Sequence, residues 1–493
     1  MTSVADEIAR FDLTVPMAAS PTPPSSWYLR PDILQREKES VLLRSWQPVC
    51  RVEQLAEQGA FVSGSFLDQP WVVTRDGSLR AFYNVCRHHA ALVAQGEGCA
   101  AKLTCPYHGW TYDLDGRLRS APRLGAVKEF QRELYGLRPI ALEVWGPWVW
   151  LNFGPEPAPL LTQLEPLAGR VSLDGLRYVC TRSYDIECNW KVYVDNYLDG
   201  GYHVEVAHQA LAAQLDLDAY KTSLEGSLVL QECGAASERL GDRAVYAWLY
   251  PNWMFNRYGP ILDINWVIPL GPERCQTVFE YFFDSSCSQE FIETSLAASH
   301  QVQLEDVEIC ESVQKGLRSQ GYDVGRYAPS LEIGEYSFHH WLARDLAQGH
   351  EVVSMTLHPE LRQLIASGPM VHLSTTNADG SPQVSVIWLA LEGEELLSGH
   401  MGWYAKLRNI ERDPRVVLSY DAPREPGIFL NHYAVLHARA SIEKGEQAWD
   451  LLNRLAKIYM APDAEFPAPR GSGYVVRYQL ERVSGVGPWI AKK

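Results

Sequence analysis

Two Cys-His pairs constrain this chain more than any other feature. In Cys86–Trp110, CRHHAALVAQGEGCAAKLTCPYHGW, the pair Cys86-x-His88 is followed after sixteen residues by Cys105-x-x-His108. Each pair fits one tight loop, and each loop can then offer one thiolate and one imidazole to a shared metal site. Two Cys and two His suit either a structural zinc or a 2Fe–2S cluster in which imidazoles replace thiolates on one iron. Zinc arms usually pair Cys with Cys and His with His. Here each arm mixes them, as needed when one iron takes both thiolates and the other both imidazoles. The spacing therefore points to the cluster, with a zinc-bearing binding module as the alternative.

Such loops need a small, stiff platform, and the surrounding sequence supplies one. From about Gln47 to Gly154 the runs PVCRV, AFVSGSF, PWVVTRD, LRAFYNV and WVWLNFG alternate, with turns at Arg75-Asp76-Gly77 and Asp115-Gly116. They predict an antiparallel sandwich with both metal loops at one end. At 493 residues the chain is too long for one ordinary domain. Four segments are expected: an N-terminal arm and helix (1–44), the cluster domain (45–155), an α+β domain (156–349) and a last domain (350–493). Residues 1–26 read as an arm without regular structure, and Trp27–Trp46 as helical. In the third segment, strand-like runs at Ser223–Gln231, Ala244–Trp248 and Thr277–Phe283 precede a long helical stretch, Gln289–Gly316. In the last, alternating strands surround an Asp379-Gly380 turn and a Gly393 turn, with a helix near Glu446–Tyr459.

A one-electron cluster needs an acceptor, and the stretch NWKVYVDNYLDGGYHVEVAH offers one. His203 and His208, near Asp195, Asn196 and Asp199, suggest part of a 2-His-1-carboxylate triad for oxygen-activating iron. The third ligand should come from a distant element. On the helix Gln289–Gly316, Val302, Asp306, Ile309 or Cys310, and Val313 recur at helical spacing. Asp306 falls on that apolar stripe, whereas Glu305, Glu308 and Glu311 fall off it. An uncompensated carboxylate facing inward is costly, and a bound cation relieves it.

Together these residues resemble the α subunit of Rieske non-haem iron oxygenases, from about Trp27 to Gln348. The shared wording includes AFYNVCRHHA, LTCPYHGWTYDLDGRL, DNYLDGGYH, YPNWMFNRYGP and EDVEICESVQKGL, the last three in the flavour of the choline monooxygenase-like branch. The resemblance implies a multidomain α+β fold: a Rieske β-sandwich before a helix-grip-like catalytic domain. It implies that Cys86, His88, Cys105 and His108 hold the 2Fe–2S cluster and that His203, His208 and Asp306 hold Fe(II). It gives Asp199 the bridging carboxylate's place, between His203 and His108 of a neighbouring subunit in a trimer. Two departures stand out: His89 replaces a more usual Arg, and Asp199 lies four residues before His203 rather than three. Asn196 or Asp195 can share the bridging role.

Residues 360–489 resemble the split-barrel flavin and deazaflavin oxidoreductases related to pyridoxamine phosphate oxidase. The matching wording is STTNADGSPQVSVIWLALEGEELL, KLRNIERDPRVVLSYD and RVSGVGPWI. The likeness places Val386, Trp388, Lys406 and Asn409 near an FMN or deazaflavin ring, usually cradled between two subunits. Where relatives carry small hydroxyl residues and a basic pair, this chain reads SGHMGWYAK, which weakens anion binding. A barrel kept only for dimerisation is the alternative. A trimeric head with a dimeric barrel gives a hexamer.

The formal net charge of −16 argues against non-specific nucleic-acid binding. No apolar run approaches the roughly 20 residues of a membrane span. The N-terminus has no signal-peptide pattern, so a cytoplasmic protein is expected. The eight cysteines outside the cluster motif read as reduced, buried thiols. No plant-type ferredoxin run and no dinucleotide fingerprint is visible, so an external NAD(P)H-dependent reductase is expected. The sequence thus reads as an oxygenase that uses dioxygen on a small amine-containing substrate, by C-hydroxylation, N-demethylation or N-oxygenation. Trp253, Phe255 and Tyr258 are candidate cation–π walls. The alternatives are a pure Rieske electron-transfer protein and a bifunctional protein whose barrel is a separate reductase.

Overall fold

The computed structural model describes residues 2–124, 127–128, 130–237, 239–348, 357–392, 395–424 and 431–489. They form two compact units, Met1–Gly349 and His350–Lys493. The expected Gly393 turn, the composition change near His350 and Ile490 of the terminal motif lie outside the described residues. No described helix is long and apolar enough to cross a membrane.

The first unit holds two seven-stranded sheets. The sheet around the metal loops runs in the spatial order Gln47–Arg51, Trp148–Asn152, Pro139–Trp145, Ser78–Tyr83, Gln69–Asp76, Ala60–Phe66 and Glu97–Cys99. Ala60–Phe66 alternates as the sequence predicts, with Ala60, Val62 and Phe66 buried, whereas Trp148–Asn152 is buried on both faces. A three-stranded sheet, Leu103–Thr104, Thr111–Tyr112 and Leu118–Ser120, carries the second metal loop between its first two strands.

The second sheet is a meander of six consecutive strands from Leu215–Glu225 to Arg274–Asp284, with Leu176–Ile186 closing beside the last. One face packs Trp248 with Trp190, Cys310 and Phe338, from the helices Trp190–Leu198, Gln289–Leu317 and Ile333–Gln348. The other face packs Trp253 and Phe255 against Trp148 and Trp150 of the cluster-bearing sheet. Trp253 and Trp150 meet edge-on at 5.0 Å. Across the same seam Arg51 pairs with Glu280 at 2.8 Å, and the Trp148 indole donates to Glu280 at 2.7 Å.

Four expectations change. The run Ser223–Gln231 is not one strand, because Gly226 (φ +65°) turns the chain between Leu215–Glu225 and Leu228–Ser237. Residues 1–26 are not a bare arm. A helix Val4–Ile8, capped by the Ser3 hydroxyl, lets Ile8 and Phe11 bury against Trp27 and the helix Ile333–Gln348. On the long helix the inward face carries Gln303, Cys310, Gln314 and Leu317, whereas Val313 is exposed. The two glutamines make up for the missing apolar residues by hydrogen bonding, Gln303 to Tyr193 and Gln314 to Asn189. Of the cysteines outside the cluster motif, Cys99 is exposed and Cys180 and Cys287 are half-buried; all are free thiols.

Helix Pro31–Ser40 is tied to the helix Trp190–Leu198 by a fully buried ion pair, Glu37 to Lys191 at 2.6 Å. The Trp190 indole donates to the second Glu37 oxygen at 2.7 Å. Burial works against both charges, raising the Glu37 carboxyl and lowering the Lys191 ammonium, and each partner partly restores the other. Lys191→Met therefore leaves an unpaired carboxylate and is expected to destabilise this unit by about 3–5 kcal/mol. The double variant Glu37→Leu/Lys191→Met should recover most of that loss, as measured by chemical denaturation; equal losses in the two variants would refute the pairing argument.

The second unit is a seven-stranded antiparallel sheet in the order Pro382–Ile387, Val371–Thr376, Arg415–Asp421, Tyr433–Gly445, Gly473–Val486, Glu395–His400 and Ala390–Glu392. Helices Pro359–Ala366, Ala405–Arg412 and Gln447–Tyr459 cover it. The expected Asp379-Gly380 turn is present, with Gly380 at φ +82°.

Candidate functional site

The two Cys-His loops are closed by their own backbones. Cys86 N–H donates to Ala91 O at 2.8 Å and Cys105 N–H to Trp110 O at 2.8 Å. Gly109, at φ +74°, lets the second loop turn back. The two thiols point inward, at 3% and 2% exposure, while His108 lies at the surface. The His88 and His108 rings are 4.7 Å apart, and His88 stacks on Trp110 at 4.8 Å. His88 Nδ1 is buried with no hydrogen-bond partner, which suits a metal-ligand lone pair. Burial, then the neighbouring His89 and His108, hold the His88 imidazole below its ordinary pKa. The Tyr112 hydroxyl lies 3.4 Å from the Cys86 sulfur and accepts from Arg87 N–H at 2.9 Å. Buried thiols beside outer imidazoles are the donor set of a Rieske cluster.

The second constellation is built by a helix end, a glycine turn and the long helix. Asn189 caps Trp190–Leu198 by accepting from Lys191 N–H. Gly200 and Gly201 then turn the chain at φ +70° and +81°. A side chain at Gly200 would meet the Leu331 carbonyl oxygen at 2.3 Å, so the position requires glycine. The turn lets Asp199 accept the backbone N–H groups of Gly201, Tyr202 and His203. It also brings Asp199 Oδ2 to 2.6 Å from His203 Nδ1, across the four-residue spacing.

His203 and His208 flank the single-turn helix Val204–Ala207. Asp306 Oδ1 lies 3.0 Å from His208 Nε2 and 3.8 Å from His203 Nε2. Ligand atoms of the three residues all fall within 4.8 Å of one another, a spacing that can hold one ion. Asn196 donates to Asp306 Oδ1 at 2.8 Å and orients it. Asp195 turns away, accepting from the Tyr28 hydroxyl at 2.8 Å and contacting His339 at 3.0 Å.

One residue was not legible from helical periodicity. Glu305 lies off the inward stripe, yet its carboxylate sits 2.7 Å from His208 Nδ1. A metal-binding histidine needs a partner on its second nitrogen, and that need was the available signal. Burial opposes charge on His208, but the bonds to Asp306 and Glu305 outweigh it and raise the imidazole pKa.

A cavity of about 150 Å³ opens above these groups, walled by Tyr193, Tyr197, Tyr220, Tyr246, Tyr258 and Phe279. Of the three aromatic walls expected from sequence, only Tyr258 lines it. Trp253 and Phe255 project from the opposite face of their strand into the tryptophan seam.

In the second unit Val386 is 55% exposed, and Trp388 stacks on Tyr459 at 5.4 Å. Lys406 is half-buried over the Tyr404 ring, and Asn409 donates to Thr375 and Asn377 at 3.0 and 2.9 Å. Burial, then Lys406, push the His400 imidazole down to about 3. A groove of about 430 Å³ in this unit is lined by Trp403, Ile410, Lys444 and Tyr474 and by none of the four sequence candidates.

Comparisons with known proteins agree with this geometry. Residues 45–131 match the Rieske [2Fe-2S] domain, residues 173–348 the ring hydroxylating alpha subunit (catalytic domain) and residues 357–487 the pyridoxamine 5'-phosphate oxidase family. The chain is 43% identical over 366 residues to a choline monooxygenase of Arabidopsis thaliana, covering 69% of this chain and 86% of that protein. It is 32% identical to the carnitine monooxygenase oxygenase subunit of Escherichia coli, over 61% of this chain and 85% of that protein. A solved quaternary ammonium Rieske monooxygenase superposes with a TM-score of 0.62 at 26% identity, covering 70% of this chain and 99% of that one. Rieske loops, catalytic fold and sequence relatives converge: the chain belongs to the Rieske non-haem iron oxygenases of the ring-hydroxylating α-subunit family.

Proposed function

We propose that the protein oxygenates a small amine bearing a quaternary or tertiary ammonium, using dioxygen and electrons from a separate NAD(P)H-dependent reductase. The observation that carries this reading is the meeting of His203, His208 and Asp306 beneath a tyrosine-walled cavity. Aromatic faces attract such cations, and the relatives include choline and carnitine monooxygenases.

In this reading Cys86, Cys105, His88 and His108 would hold the 2Fe–2S cluster, while His203, His208 and Asp306 would hold Fe(II). When bound, the two centres supply one-electron transfer and dioxygen activation. The protein's part is to fix protons and orientation. Asp199 and Glu305 keep the imidazole protons on Nδ1, leaving both Nε2 lone pairs toward the ion. Asn196 holds Asp306. The partly exposed Asp199 can also reach the surface His108 of a neighbouring subunit, linking the centres across a trimer. We place this enzyme in the cytoplasm, where its free thiols persist.

A second role for the C-terminal unit, a flavin- or deazaflavin-dependent reductase, is favoured by the oxidase-family match over residues 357–487. The other reading, a barrel that pairs trimers into a hexamer, accords with the exposed Val384 and Val386 on an edge strand.

The test is incubation of the reduced, iron-loaded protein with choline and related amines under labelled dioxygen. The expected result is amine-dependent oxygen uptake, label in the products and about three irons per chain. Oxygen uptake indifferent to every amine would overturn the proposal. Flavin released on denaturation would establish the reductase role.

A further inference from the structure

The cavity has two ends of different character. Beside the iron ligands, the Tyr193 hydroxyl donates to Gln303 Oε1 at 2.7 Å and accepts from Asn265 Nδ2 at 3.3 Å. From Asn265 a line of inward-facing strand residues leads away along the sheet. Asn256 Nδ2 donates to Asn265 Oδ1 at 2.7 Å and to Asp263 Oδ1 at 2.6 Å, and the Tyr258 hydroxyl donates to Asp263 Oδ2 at 2.6 Å. Both Asp263 oxygens are therefore engaged, and burial raises its carboxyl, so it is a poor counter-ion for a free cation.

Beyond Tyr258 stands Arg239, at the tip of the hairpin between Leu228–Ser237 and Gly241–Leu249. Its guanidinium carbon lies 5.5 Å from the Tyr258 ring centre, and the side chain lines the cavity. Its Nε is buried without a hydrogen-bond partner, and its charge reaches Asp263 and Tyr258 only through space, with no hydrogen bond to either. A buried, unmatched guanidinium donor is costly, and its planar fork suits a carboxylate. In a pocket meant for a plain cation, this charge would repel the ligand.

We propose that Arg239 binds the carboxylate of a zwitterionic substrate whose ammonium group lies among the cavity tyrosines nearer the iron. The preferred substrate class is then a trialkylammonio carboxylate rather than a cationic amino alcohol. This rests on the amine reading above and narrows it.

Titration calorimetry on the full-length protein, with choline and γ-butyrobetaine as probes, separates the cases. Wild type should bind γ-butyrobetaine more tightly than choline. Arg239→Gln should weaken γ-butyrobetaine by about 10- to 100-fold, the scale of one charged hydrogen bond, without weakening choline. Arg239→Lys should recover part of the loss. Continued choline binding would show the variant folded. If wild type binds choline but not γ-butyrobetaine, or if Arg239→Gln weakens both alike, the Arg239 assignment fails while the amine reading stands. If neither probe binds wild type, both fail.

Discussion

Replacing Asp306 with Ala should empty the mononuclear iron site and abolish amine-dependent oxygen uptake, while the cluster's visible absorption persists. The two sites share no residue, one resting on loops of the first sheet and the other on helices, so losing one need not disturb the other. His203 and His208 alone leave two neutral donors for a dication. With Asp306 as ligand, the carboxylate would supply both the charge balance and the third face of the site. The variant also releases Asn196, whose amide donates to Asp306. Metal analysis of the variant should fall from about three irons per chain to about two. Retention of the third iron would move the carboxylate ligand elsewhere, with Glu305 the first place to look.

Asp199→Asn should produce the opposite pattern: both metal centres present, and turnover reduced by about 10- to 100-fold. An amide in place of the carboxylate removes one acceptor and the negative charge beside His203 Nδ1. Three backbone N–H groups converge on Asp199, so the turn has donors enough to survive on the remaining carbonyl oxygen. The diagnostic readout is the cluster itself. In the variant the reduced cluster should stay reduced when amine and dioxygen are added, because its electron has lost the path to the iron. Normal reoxidation would sink the assigned route and turn attention to Asp195, although that residue is occupied by Tyr28 and His339.

Much of this site could be read from residue spacing because its chemistry is local. Cys86-x-His88, Cys105-x-x-His108 and the His203/His208 pair each arise within one loop or turn. Asp306 needed a second argument, the cost of a carboxylate on an inward helical face. Glu305 carries no such signature, because it is half-exposed and its partner lies 97 positions away. Strand alternation explains the fate of Trp253 and Phe255. Period two assigns them a common face with each other and the opposite face to Tyr258, but which face meets the cavity is set by the helices. In the C-terminal unit, none of Val386, Trp388, Lys406 and Asn409 lines the groove formed by the described residues, despite the wording shared with a family. A site formed between two copies has no signature inside one.

The tryptophan seam between the two sheets of the first unit has a consequence for how electrons can travel. Trp148, Trp150 and Trp253 are each at most 1% exposed, and the seam is stitched at its edge by Arg51 and Glu280. Parting the sheets would expose three indoles of roughly 200 Å² each, on the order of 15 kcal/mol at about 25 cal/mol per Å². The cluster is thus no swinging carrier that shuttles between donor and acceptor. The cluster-binding sheet is held fixed against the catalytic sheet, and opening the seam is too costly to recur with every catalytic cycle.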